Sequence, residues 1–159
     1  MRAGTGVSTT SRLSLVIASP EDLRRLEDAS ARRQRKEVDE VLGNLAPSPA
    51  ALDGLDDYLP FSAAYMEDEG VLPERNWELS SALTSMHRGL ALVYPRANVD
   101  LDRLCVEQGD VDALRREFHG GGSLNDPRAA VGLTKAVNTL RETFGSMETD
   151  ASIVIFFRH

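Results

Sequence analysis

The chain is poor in cysteine: Cys105 is the only one in 159 residues. No internal disulfide can form, so a small secreted scaffold stapled by disulfides is excluded. Long apolar runs are also lacking. The first, Leu13 to Ala18, is too short for the hydrophobic region of a signal peptide. Nowhere do about 18 consecutive apolar residues occur, the length a membrane-spanning helix needs. Aromatic residues make up 6% of the chain, with Trp77 the sole tryptophan. Bases are outnumbered, with 18 Lys and Arg against 25 Asp and Glu, a net charge of −7. Such a chain lacks the cationic face that neutralises phosphates, so neither nucleic acid nor a membrane is an expected partner. The cytoplasm is the expected location.

Catalytic signatures are scarce as well. His119-Gly120-Gly121-Gly122 has the form of an oxyanion loop, but no Gly-x-Ser-x-Gly nucleophile elbow accompanies it. The same glycines are followed by no Gly-Lys-Ser/Thr, so they do not make a phosphate loop, and a helix-to-helix linker is the plainer reading. His87, His119 and His159 are widely separated, with no metal-ligand spacing between them. Cys105 lies between Leu104 and Val106 and reads as a buried structural thiol. No catalytic residue, metal or cofactor is expected.

What is present fits one globular domain. Residues 1–11 are small and polar and read as a flexible tail, with a single domain over 12–159. The expected fold is α+β and helix-rich, about five to six helices on a small sheet that includes an N-terminal strand (13–18) and a C-terminal strand (152–158).

The elements follow from local chemistry. Leu13 to Ala18 reads as a strand. Ser19 is placed as N-cap with Pro20 at N1, opening a helix to about Leu42 that Gly43-Asn44 stop. Its middle, with Arg32, Arg33, Arg35 and Lys36 beside Asp28, Glu37, Asp39 and Glu40, reads as intrahelical charge pairing over solvent. Ser48-Pro49 predicts a short helix to Tyr58, ended by Pro60, and residues 60–73 an irregular or partly helical connection. Pro73 predicts the start of a helix carrying Leu79, Leu83, Met86, Leu90 and Val93 on one face, ended by Pro95. Asp100 can cap a short helix with Leu101, Leu104 and Cys105. Another carries Val111, Leu114 and Phe118. Ala130, Leu133, Val137, Leu140 and Phe144 form the cleanest helical stripe, stopped by Gly145.

Ser152 to Phe157 is the strongest strand signal. Its five consecutive apolar residues, Ile153 to Phe157, predict burial on both faces. Its natural partner is Leu13 to Ala18. Two strands are marginal alone. Helices must therefore cover them, or a third strand lies within 60–72, or a second subunit supplies one. Monomer and homodimer are both open.

Charge is concentrated in one segment. Between Asp53 and Glu78 stand eight acids (Asp53, Asp56, Asp57, Glu67, Asp68, Glu69, Glu74 and Glu78) and one base, Arg75. This segment carries the chain's whole surplus. It lacks the Asp-x-Asp-x-Asp-Gly ladder of a calcium loop. It points to a protein partner of a regulatory or immunity-type domain, contacted through Asp56, Asp57, Asp68 and Glu69. The alternative is a small enzyme or ligand-binding protein with an aromatic and histidine pocket at Tyr65, Trp77 and His87.

The order of elements also resembles a known family. It runs from a strand and a capped helix to a helix bearing Trp77 with Leu83-Thr84. Leu140-Arg141-Glu142-Thr143-Phe144 then lead into Ile153-Val154-Ile155. This pattern resembles the YfbM-like family of small bacterial proteins of unknown function. The resemblance leaves 95–125 unmatched, and it implies a fold and not a reaction.

Overall fold

The computed structural model describes residues 13–50, 59–68, 70–87, 89–97, 99–104 and 128–157. The expected tail, the helices expected over 49–58 and around Val111 to Phe118, Cys105, His119 and the glycine run at 120–122 lie outside the described residues or almost wholly so. The described elements run in order as β1 (Leu13–Ala18), α1 (Pro20–Ala31), α2 (Arg35–Asn44), β2 (Ala46–Pro47), α3 (Leu59–Asp68), α4 (Trp77–His87), β3 (Ala91–Pro95), α5 (Arg128–Gly145) and β4 (Ser152–Phe157). The fold is α+β and helix-rich, with one antiparallel sheet in the order β2-β1-β4-β3.

The two terminal strands are neighbours at the centre of this sheet. Leu13 faces Phe157 and Ala18 faces Ser152, with every residue between them in register. β4 also pairs with β3, from Ala91 opposite Phe156 to Pro95 opposite Ser152. Strand side chains alternate between faces, and here both faces are dry. Leu13, Leu15, Leu92, Tyr94, Ile153 and Ile155 pack under α3 and α5 against Leu59, Ala63, Met66, Val137, Leu140 and Phe144. Val16, Ala18, Ala91, Val93, Val154 and Phe156 pack on the other side against Leu26 and Ala29 of α1, Val38 and Leu42 of α2, and Leu79 and Leu83 of α4. Helices thus cover the sheet on both faces. That is why β4 is apolar without alternation, as its sequence predicts.

α1 begins by the capping chemistry read from sequence. The Ser19 hydroxyl accepts from Asp22 N–H and the Asp22 carboxylate accepts from Ser19 N–H, both at 3.1 Å, with Pro20 at N1. The single helix expected to Leu42 is, however, two. The chain turns after Ala31 because Gln34 N–H donates to Ala29 O (2.9 Å) and Arg33 N–H to Ser30 O (3.1 Å). This is a Schellman motif. Its left-handed position is filled by Arg33 at φ 55°, where a glycine would be usual. Arg32 pairs with Asp28 (2.7 Å) and Glu37 (3.4 Å), so the expected charge pairing spans the turn between the two helices.

Residues 60–73 are partly helical, one of the two forms expected, and no strand lies among the described residues there. Pro60 is the second described residue of α3. One further expectation is corrected. The helix expected from Pro73 to Pro95 covers only Trp77–His87, with Asn76 as its cap, and Ala91–Pro95 is a strand. Leu90 and Val93 fit the helical phase of Leu83 and Met86, but Ala91 to Tyr94 are buried and pair with β4.

α5 runs to Gly145, as its stripe predicts. Arg96, just after β3, donates from Nε to Phe144 O at 2.8 Å and so satisfies one of the last carbonyls of α5. Asp100 accepts from Asp102 N–H and caps the turn that follows. Among the described residues no helix is long and apolar enough to cross a membrane.

Candidate functional site

The site is built where α4 lies along the outer edge of β3. Asn76 starts α4 by accepting from Leu79 N–H on its side-chain oxygen (3.0 Å), while its own N–H donates to Val93 O (2.9 Å). One turn on, the Ser80 hydroxyl accepts from Val93 N–H at 2.9 Å. A further turn on, the Thr84 hydroxyl accepts from Ala91 N–H at 3.0 Å, and it lies 2.8 Å from Ser80 O and 3.1 Å from Ala91 O, both acceptors for its proton. Four residues of helix rise about 6 Å and two residues of strand about 6.8 Å, so hydroxyls at i and i+4 match alternate residues of a strand. Pro95 has no N–H to offer. The outward backbone of Ala91 and Val93 is thus fully engaged, and β3 is closed as an edge to which another strand could add.

Above this sealed edge sits Trp77, the first residue of α4. It is 51% exposed, and with Leu90 at 42% it is one of two large apolar side chains among the described residues left so open. The Arg75 guanidinium carbon lies 4.1 Å from the centroid of its ring, a cation–π contact. Arg75 is itself held: its Nε donates to Glu67 Oε1 of α3 at 2.9 Å. The same oxygen accepts from the Tyr94 hydroxyl at 2.8 Å. Tyr94 is fully buried. Burial and its hydrogen bond to Glu67 push the phenol well above its ordinary range, outweighing the opposing pull of Arg75. Tyr94 therefore stays protonated and remains a donor.

Beside Trp77 a groove of about 300 Å³ runs along α4, lined by Arg75, Trp77, Ser81, Ser85, Leu90 and Ala91 among others. A second recess of about 310 Å³ lies between α1 and α2, lined mainly by Asp22, Arg25, Glu37, Glu40 and Asn44. Two of its charges are already used, Asp22 in the cap of α1 and Glu37 in the pair with Arg32.

The residues singled out from sequence are distributed as follows. Asp56, Asp57 and Glu69 lie outside the described residues. Asp68 ends α3 and is exposed, as are Glu74 and Glu78 near Trp77 in the chain. Glu67 is withdrawn from the acidic surface by Arg75 and Tyr94. Tyr65 lies in α3, and Trp77 and His87 stand at opposite ends of α4. Ten residues of helix separate that pair by about 15 Å. Trp77 is joined instead by Arg75, Glu67, Tyr94, Ser80 and Thr84, none of them among the site residues expected from sequence. Two signals pointed toward them: Arg75 is the lone base of the acidic segment, and Ser80 and Thr84 are one helical turn apart. Among the described residues no group of three His, Cys, Asp or Glu is placed to hold a metal ion. Comparison with family models, with curated proteins and with solved structures finds no match for the chain.

Proposed function

We propose that this chain is a small protein-binding domain of regulatory type, acting by contact and not by catalysis, and that its contact surface is centred on Trp77. The observation that carries this reading is the half-exposed indole beside a groove. Tryptophan and arginine are the residue types most enriched among side chains that dominate protein interfaces. Leu90 supplies a second apolar contact along the same helix flank. Exposed Asp68 and Glu74 ahead of α4, and Glu78 in its first turn, add negative charge beside Trp77 in the chain, so the complementary partner presents a cationic surface with an apolar anchor. Acids at a rim act mainly on the speed of encounter. The sealed edge of β3 favours recognition through side chains over strand addition.

A small-ligand pocket combining Trp77 with His87 draws no support from α4, which keeps the two about 15 Å apart. The chemistry of Glu67, Arg75 and Tyr94 points the same way: the carboxylate is neutralised by an ion pair and the phenol is a buried donor.

The test is affinity capture from the native cell extract with the wild-type chain and with Trp77→Ala, in parallel. The expected result is a protein retained by the wild type and lost from the variant, with association slowed by Glu74→Lys and Glu78→Lys and by added salt. The same proteins captured equally by both chains would contradict the reading.

A further inference from the structure

Trp77 is exposed, yet its support comes from three elements. Tyr94 belongs to β3 and packs in the core beneath α3 and α5, Glu67 belongs to α3, and Trp77 opens α4, which covers the opposite face of the sheet. The chain Tyr94–Glu67–Arg75–Trp77 therefore passes around the β3 edge from one face to the other. Exposure rises along it, from 10% for the Glu67 side chain and 16% for that of Arg75 to 51% for Trp77 as a residue.

We propose that Glu67 is a positioning residue: by holding Arg75 against the indole it presets Trp77 for contact with the partner. This rests on the reading of Trp77 as the contact residue and adds the device that readies it. An arginine side chain left alone has many rotamers, and ordering it opposes any stack that depends on it. Here the Nε bond to Glu67 orders Arg75 before any partner arrives. Glu67 is ordered in turn by the Tyr94 hydroxyl, which shares the same oxygen. The indole is thus restrained through its neighbours while keeping half its surface for contact. Such preorganisation lowers the ordering cost of association, and a loss of the competent fraction weakens apparent affinity in proportion.

Trp77 is the only tryptophan, so its fluorescence reads the proposal on the free, full-length protein. Glu67→Ala and Arg75→Ala should each lower the anisotropy of the indole and raise its quenching by acrylamide. The stacked-to-unstacked ratio should fall about two- to five-fold, the worth of an exposed cation–π contact. The Glu67→Ala, Arg75→Ala double variant should show no more loosening than Arg75→Ala alone, because Glu67 acts through Arg75. A residue that merely supports the fold would lower thermal stability without this pattern. If Glu67→Ala does not fold, Glu67→Gln carries the test. The amide retains Oε1 as an acceptor for Tyr94 and Arg75 but loses the charge that strengthens the bond to Arg75, so it too should loosen the indole, by less than Glu67→Ala. Unchanged anisotropy and quenching in a folded Glu67 variant overturn the proposal. Because no partner is needed, that failure is distinct from capture of the same proteins by wild type and Trp77→Ala, which overturns the contact reading instead.

Discussion

At one edge of the sheet β2 contributes two exposed residues, Ala46 and Pro47, whereas at the other β3 contributes five, four of them buried. The first edge is protected by brevity and by a proline without an N–H. The second is protected by a helix that supplies Ser80 and Thr84 to its outward backbone. Both solutions prevent edge-to-edge pairing, but only the second gathers a tryptophan, a groove and an ion pair above the strand. Capping β3 with side chains lets the strand be long and buried and still present a surface, whereas the short edge has little on which to build one.

The sharpest way to break this contrast is to loosen α4. Leu83 is fully buried between α4 and the sheet, so Leu83→Ala should cost about 2–5 kcal/mol. Pro47→Ser on exposed β2 should stay within about 0.5 kcal/mol. Urea unfolding of the two variants measures the difference. Next in size is Ser80→Ala, which leaves Val93 N–H buried without an acceptor and should cost about 1–3 kcal/mol. Because it opens the protected edge, it should also raise self-association in light scattering, which Pro47→Ser should do less.

A smaller effect concerns pH. Tyr94 titrates higher in the folded chain than the ordinary phenol value near 10. Above about pH 10 the unfolded chain releases this proton while the folded chain keeps it. The unfolded state then binds fewer protons, so stability falls as pH rises. The contribution is complete below pH 10 and is lost on the way to the folded value, at no more than about 1.4 kcal/mol per pH unit. Tyr94→Phe should be less stable at neutral pH yet show a flatter alkaline decline in denaturant midpoints. Smaller still is the effect of Trp77→Ala on stability, about 1 kcal/mol for the buried half of the ring and its contact with Arg75. Thermal unfolding should shift modestly while partner capture is lost.

Much of this architecture was legible in the sequence. β1, β4, the capped start of α1 and the long stripe of α5 follow from apolar runs, Ser19-Pro20 and a repeat of threes and fours. These are local signals. The break between α1 and α2 was not legible, because its left-handed residue is Arg33 and not the glycine that would have marked it. β3 was hidden for a different reason: Leu90 and Val93 continue the helical phase of Leu83 and Met86, and only pairing with β4, some sixty residues on in the chain, makes them a strand. The site divides in the same way. Trp77 stands out by composition alone. Its support is non-local, since Glu67 is 8 residues from Arg75 and 27 from Tyr94. The acidic segment drew attention as a block of like charge, but the fold puts Glu67 to work inside it as an anchor.

In the proposed function, Trp77 is the residue a protein partner covers. Its solitary indole makes the decisive measurement direct: acrylamide quenching of Trp77 fluorescence, before and after adding a captured partner that lacks tryptophan or has had its tryptophans replaced. The partner should shield the indole and lower its quenching clearly, since 51% of the residue is exposed in the free chain. A saturating partner that leaves the quenching of Trp77 unchanged would show that the contact surface lies elsewhere.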